Sequence, residues 1–298
     1  MLADAMHALE STLGPPGSEP VPLEGGLTNR NYRLTWAERD CVLRLPGKET
    51  ALLGIDRETE RAATAAAAAA GIGPEVIAFE PRLGCLVTGF IEGRPVEAQE
   101  LRERVPEVAA ALRTIHAGPP LPTGFDPLER TERYHRSAVE RDGAIPSGYE
   151  RVDAAARRIA AALDGPEHDP VPCHNDLLSA NFLDDGERLR IVDWEYAGMG
   201  DRYYDLANFA SHHRLDDAGE EALMAAYWGE PATARRLAAL RLMRPMAAFW
   251  EAMWGVVQAT ASELDFDFRA YAAEHLDRAA AGLADPRFER WLEDARAD

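Results

Sequence analysis

The stretch CHNDLLSANFLDDGERLRIVDWEYAGMGDRYYD, Cys173 to Asp205, decides how the chain is read. Three oxygen-bearing side chains stand in it at set intervals: Asp176, Asn181 five positions on, and Asp193 twelve beyond that. Between the last two, Asp184-Asp185-Gly186 is flanked by Phe182-Leu183 and by Leu189 to Val192. An Asp-Gly pair between two short apolar runs predicts a β-hairpin. Such a hairpin returns Asp193 to the neighbourhood of Asn181, with Asp176 just upstream. Two carboxylates and an amide oxygen then converge on one small volume. Hard oxygen ligands of this kind suit Mg²⁺, which keeps several waters and is completed by substrate phosphates. A helix cap or a turn residue would account for any one of these side chains alone. The set at this spacing points to chemistry.

A chain of 298 residues with 46% hydrophobic content can bury one large core or two modest ones. No run approaches the ~18 apolar residues of a membrane span. The opening MLADAMHALESTLG carries acidic residues and no basic region, so it does not read as a signal peptide. Cys41, Cys85 and Cys173 are an odd, scattered set, expected as reduced thiols of a cytoplasmic protein. A net charge of −19 disfavours nucleic acid and anionic membrane as partners and favours a cationic substrate. Lys48 is the only lysine.

Around the central stretch the chain is β-rich to about Ile91 and helix-rich afterwards, an α+β, two-lobed plan with boundaries at 1–91 and 92–298. A short helix, Ala3 to Leu13, precedes the segment LEGGLTNRNYR (23–33) and two strand-like runs ending at Leu45. Gly25, Gly26, Thr28 and Asn29 fall at the first turn, where glycines let backbone N–H groups approach a phosphate closely. A Gly-Gly turn with no ligand has the same appearance. An alanine-rich helix is expected from Ile55 to Ala70, closed by Gly71, and a second hairpin over 76–91. Helices are expected at 104–116, 147–163, 218–228, 232–263 and 267–282, with Pro245 kinking or dividing the long one. Residues 119–146 read as irregular and polar.

His174-Asn175-Asp176 with Asn181 resembles the catalytic loop of the kinase-like phosphotransferases. Asp193-Trp194-Glu195 stands where protein kinases carry Asp-Phe-Gly. Together with VDWEYA, the spelling is most similar to the bacterial choline/ethanolamine kinase group, relatives of the aminoglycoside phosphotransferases. The resemblance implies a protein-kinase-like bilobal fold with ATP in the cleft. It makes Asp176 the catalytic base and Asn181 and Asp193 the Mg²⁺ ligands. His174 supports the loop, Asp205 braces it, and Glu195 touches metal or substrate. GGLTNRNY, with Gly25, Gly26, Leu27, Thr28, Asn29 and Asn31, resembles the loop over the ATP phosphates. Arg44 in VLRLPG takes the place of a phosphate-binding lysine, as a fixed cation with a forked donor set. Glu60 is assigned as its partner. Glu58 competes two positions away, and only one of the two can face inward. Thr88, Gly89 and Phe90 correspond to the hinge where backbone groups meet adenine.

The segment AFWEAMWGVVQATAS (248–262) resembles the one that supplies aromatic walls for a trimethylammonium group, with Trp254 and Gln258 in the matching frame. Tyr271, in FDFRAY (266–271), takes the position of a pocket tyrosine. A cation over such faces gains ~0.5–2 kcal/mol. Glu251 stands where the eukaryotic pattern has a second tryptophan, and Trp250 points elsewhere on the helix. A carboxylate suits a primary ammonium as well as a quaternary one. The implied activity is ATP- and Mg²⁺-dependent phosphorylation of choline or ethanolamine. Thiamine or an aminoglycoside as acceptor is the nearest alternative, and a nucleotide-binding pseudokinase is the alternative of another class.

Overall fold

Five strands near the N-terminus build one antiparallel sheet in this computed structural model, which describes residues 1–23, 28–47 and 49–296. They are β1 (Val21–Leu23), β2 (Asn29–Trp36), β3 (Arg39–Pro46), β4 (Val76–Glu80) and β5 (Cys85–Gly89), in the order β1-β2-β3-β5-β4. The β2–β3 turn is Ala37-Glu38, both at positive φ (49° and 61°), the two-residue geometry that matches strand twist. Gly47 follows β3 because a Cβ there would lie 2.0 Å from the Thr28 carbonyl oxygen. One face of the sheet packs Leu34, Trp36, Leu43 and Val87 against Ala5 and Leu9 of α1 (Leu2–Leu13).

The alanine-rich run forms α2 (Arg57–Ala69), whose N-cap Asp56 accepts from the Thr59 N–H at 2.7 Å. Its Ala63 and Ala67 belong to the larger core, while Glu60 pairs with Arg44 of β3, so the helix bridges the sheet and the second half of the chain. That half comprises β6 (Arg94–Pro95), α3 (Ala98–Glu103), α4 (Val105–His116), α5 (Pro127–Glu140) and α6 (Tyr149–Ala160). There follow β7 (Val171–Cys173), β8 (Phe182–Asp184), β9 (Leu189–Ile191) and β10 (Gly198–Gly200). The chain continues through α7 (Arg202–His212), α8 (Asp217–Trp228), α9 (Ala234–Ala261), α10 (Phe268–Leu283) and α11 (Phe288–Arg296). No described helix is long and apolar enough to cross a membrane. All three cysteines are free and buried.

Two expectations are corrected. The segment 119–146 is not irregular throughout, since it contains α5, capped by Asp126 on the Leu128 and Glu129 N–H groups at 2.8 and 3.2 Å. Its buried stripe is short and mixed, Thr131, Tyr134 and Ala138, and the surrounding charges hide the period. Tyr134 donates to the Leu53 carbonyl at 2.7 Å, and Arg130 reaches the Leu53 and Gly54 carbonyls, which ties down the loop before α2. Pro245, in turn, does not divide α9, which runs unbroken from Ala234 to Ala261. Proline in a helix interior costs roughly 3 kcal/mol, but α9 is buried on nearly all sides, and Gly282 of α10 allows close packing on Pro245. Tertiary burial outweighs the local penalty.

The hairpin forms, with Phe182 opposite Ile191. Its loop spans Asp185 to Arg188, and the Asp185 carboxylate accepts from the Glu187 and Arg188 N–H groups. The Val192 N–H donates to the Asn181 carbonyl at 3.0 Å, which carries Asp193 back to the start of the hairpin.

Candidate active site

The catalytic loop is fixed by buried polar contacts. Asp205, fully buried in the first turn of α7, accepts from the His174 and Asn175 N–H groups at 2.8 and 2.6 Å. It also contacts His116 Nε2 at 3.1 Å. These bonds occupy His116 and Asp205, so their grouping with Cys173 is a brace rather than a metal centre. His174 Nε2 contacts the Val192 carbonyl at 3.0 Å, and its Nδ1 accepts from the Asp176 N–H at 3.2 Å. Those two contacts fit an imidazole protonated on Nε2. Burial holds His174 below its ordinary pKa. Asn175 and Asp193 adopt φ of 69° and 63°, a left-handed conformation that Asn and Asp tolerate better than other side chains.

Asp176, Asn181 and Asp193 do converge. Asn181 Nδ2 donates to the Asp176 carbonyl at 2.9 Å and to its carboxylate at 3.2 Å, which leaves Asn181 Oδ1 as the side chain's acceptor atom. Asp193 Oδ1 is buried with no hydrogen-bond partner among the described residues. A buried carboxylate oxygen without a donor is costly unless a cation completes it. Burial, reinforced by Asp176, pushes Asp193 up to about 7. Burial, then the charges of Glu251 and Glu195, pushes Asp176 well above the carboxylate range.

On the sheet side, Arg44 lies opposite Asn31 across β2–β3 and pairs with Glu60 at 2.6 Å, Nε to Oε1. Glu58 faces outward and pairs with Arg61. Burial lowers Arg44 below its ordinary pKa, opposed by the Glu60 charge. The sequence reading missed Arg57, which pairs with Glu60 at 2.7 Å and with Glu195 at 3.3 Å and donates to Asn29 Oδ1 at 3.1 Å. Its position one helical turn before Glu60 was the available signal. Glu195 accepts from Asn29 Nδ2 at 2.9 Å. Burial, then the Asp193 charge, raises Glu195 to about 8. Thr28 is half-buried at the foot of β2, while Gly25, Gly26, Leu27 and Lys48 lie outside the described residues.

At the expected hinge, Thr88 and Gly89 end β5 and Phe90 follows, its ring covered by the Arg33 guanidinium at 3.7 Å. The Gly89 and Phe90 N–H groups donate to the Glu75 and Asp40 carbonyls at 2.8 and 2.9 Å, so neither donor is free for adenine.

Opposite Arg44, the Trp254 ring meets Tyr271 at 5.6 Å and Phe268 at 5.7 Å, both edge-on. Trp254 Nε1 donates to the Tyr196 hydroxyl at 2.7 Å. Trp250 packs on Phe125, Tyr134 and Tyr196 and is core. Glu251 is buried: Tyr271 donates to its Oε2 at 2.6 Å, and His212 Nε2 lies 3.3 Å from Oε1. Burial alone would raise Glu251, but His212, His275 and Tyr271 outweigh it and hold the group below its ordinary value. Neither histidine was singled out from the sequence, where a lone histidine on a helix carries no signal. A cavity of about 660 Å³ behind α2 touches Trp194 and Cys173 but is lined by neither Asp176 nor Asp193.

A five-stranded lobe facing a helical one, with this loop between them, defines a kinase-like phosphotransferase, and residues 19–242 match the phosphotransferase enzyme family. Among solved structures, a choline/ethanolamine kinase family protein from Mesorhizobium loti is 31% identical, with 99% of each chain covered and a TM-score of 0.82. The choline kinase LicA from Streptococcus pneumoniae is 25% identical over 95% of this chain and 99% of its own, with a TM-score of 0.78. Protein LicA of Haemophilus influenzae is 27% identical over 215 residues, 70% of this chain, and the match spans 63% of that relative's length. The chain belongs to the choline/ethanolamine kinase family.

Proposed function

We propose that the protein transfers the γ-phosphate of ATP to the hydroxyl of a cationic amino alcohol, choline first and ethanolamine next. The observation that carries this reading is the isolation of Glu251. Of the other buried glutamates, Glu60 faces Arg44 and Arg57, Glu195 faces Arg57, and Glu220 faces Arg241 and Arg244. Glu251 has no arginine partner among the described residues; its ion-pair contact is His212. A buried carboxylate without a fixed counter-ion, beside Trp254 and Tyr271, suits an ammonium group.

In this reading Asp176 orients the acceptor hydroxyl and takes its proton, and its raised pKa favours proton acceptance. Asn181 Oδ1 and Asp193 Oδ1 hold Mg²⁺, an oxygen pair of the right chemistry. When bound, the ion neutralises charge on the phosphates and aligns the γ-phosphate. Arg44, braced by Glu60, faces the phosphates with Thr28, Asn29 and Asn31, and Gly25, Gly26 and Leu27 belong to the same loop. Adenine lies along Thr88–Phe90, using backbone groups other than the two committed N–H donors. The nucleotide lobe is 1–91, the acceptor lobe 92–298, and the compartment is the cytoplasm.

The test is ADP release from Mg-ATP with choline, ethanolamine, thiamine and kanamycin. Turnover on choline or ethanolamine that vanishes in Asp176→Ala is expected. Turnover on kanamycin alone would overturn the acceptor, and failure to bind nucleotide would overturn the activity.

A further inference from the structure

We propose that His212 is a positioning residue that fixes Glu251 as the counter-ion of the acceptor's ammonium group and so helps set which amino alcohol is taken; this rests on the amino-alcohol kinase reading above. The Glu251 carboxylate is gripped from two elements. Tyr271 of α10 donates to Oε2 at 2.6 Å, and His212 at the end of α7 lies 3.3 Å from Oε1. Each oxygen thus has one contact within the protein and keeps acceptor capacity for a ligand. Other groups near this carboxylate include Asp176, Tyr204, His275, whose ring lies 4.2 Å from that of Tyr271, and Arg244 and Arg278, which line the same cavity without pairing with it.

Helix α7 makes the link rigid. Asp205 in its first turn holds the backbone of the Asp176 loop, and His212, seven residues on, falls on the same face. One helix therefore positions both the group that meets the hydroxyl and the group that meets the ammonium. A histidine suits the position for a specific reason. It directs a donor at Glu251 without a permanent charge, whereas an arginine, as at Glu60 and Glu220, would neutralise the carboxylate. Orientation matters most to an acceptor with ammonium N–H groups, which needs the free lone pairs aimed at it. A quaternary ammonium needs only the nearby charge.

The test is a double-mutant cycle read by KM for ethanolamine, choline and MgATP. His212→Leu is expected to raise KM for ethanolamine about ten-fold, the loss of one charge-assisted contact, and KM for choline less. KM for MgATP and kcat should stay within about two-fold of the parent. His212→Gln, which keeps a donor, should restore most of the loss. In a Glu251→Gln background, His212→Leu should add less than about two-fold. Full additivity, or a parallel rise in KM for MgATP, would overturn the positioning role. An unchanged amino-alcohol KM in Glu251→Gln alone would instead overturn the acceptor reading, and the role of His212 with it. If His212→Leu fails to fold, the same cycle runs with His212→Gln and His212→Arg. The arginine should abolish amino-alcohol saturation while MgATP binding persists, and unchanged saturation would overturn the proposal.

Discussion

Glu60→Gln is the most informative single change, because one carboxylate holds both arginines of the sheet side. The side chain is 2% exposed, with Oε1 at 2.6 Å from Arg44 and Oε2 at 2.7 Å from Arg57. Glutamine keeps the shape and one acceptor but removes the charge. Arg57 retains Glu195 and Asn29, whereas Arg44 retains the Gly84 carbonyl at 3.1 Å. Removing one partner of a buried pair costs ~3–5 kcal/mol, and the retained contacts place this case near ~3 kcal/mol. For a domain of 298 residues that is a drop of roughly 5 °C in Tm. Arg44 also loses its aim, so KM for ATP should rise about ten-fold or more. Thermal melts and ATP saturation kinetics read both effects. Glu58→Gln is the control: its exposed pair with Arg61 should be worth less than about 0.5 kcal/mol. If Glu60→Gln melts within about 1 °C of the parent and keeps its KM for ATP, the brace is not what holds Arg44.

Three further outcomes are expected. Asp176→Asn should lower kcat by ~10²–10⁴ with KM for ATP nearly unchanged, which single-turnover kinetics with nucleotide binding can separate. Acid should destabilise the fold through His213, which burial lowers to about 4 and which contacts the Leu177 carbonyl at 3.1 Å. The unfolded chain takes up that proton below about 6.5 and the folded chain does not, so stability present above that pH is lost on acidification. Roughly 2 kcal/mol should go between pH 7 and 5, and a His213→Gln variant with an unchanged pH slope in urea melts would refute the assignment. Finally, millimolar Mg²⁺ without nucleotide should raise the Tm of the parent but not of Asp193→Asn, and equal shifts in both would move the metal elsewhere.

What was legible in the sequence is what is local. The hairpin, the Asp-Asn-Asp spacing, and Glu60 one turn inside α2 all lie within short windows where pattern and geometry coincide. Contacts between distant segments were not legible. Arg57 meets Glu195 across 138 positions, and His212 meets Glu251 from another helix. Nothing in either neighbourhood announces the partner. Helix α5 hid because its buried face uses arginine and threonine, and α9 crosses Pro245 because burial decides there, not propensity. In the fold, the left-handed turn at Asp193 sends the following residues toward β2.

The placement of charge across the cleft argues for the direction of transfer more strongly than the overall charge does. Arg44 is buried and Arg57 half-buried, and both stand beside β2 and α2, while a second buried arginine, Arg130, lies on α5 of the helical lobe. Glu251 has aromatic rings and histidines as its direct contacts, and the cavity it lines is also bordered by Arg241, Arg244 and Arg278. Burial, then the charges of Glu251 and Glu195, opposes the ionisation of Asp176. A polyanion gains by approaching the arginine side and loses by approaching Glu251, and a cation does the reverse. On the proposed reading, this charge placement favours the phosphates near Arg44 and Arg57 and the cation near Glu251. A net charge of −19 would draw cations to the whole surface alike. On that reading, the local charges, not the net charge, separate where the cation and the phosphates bind.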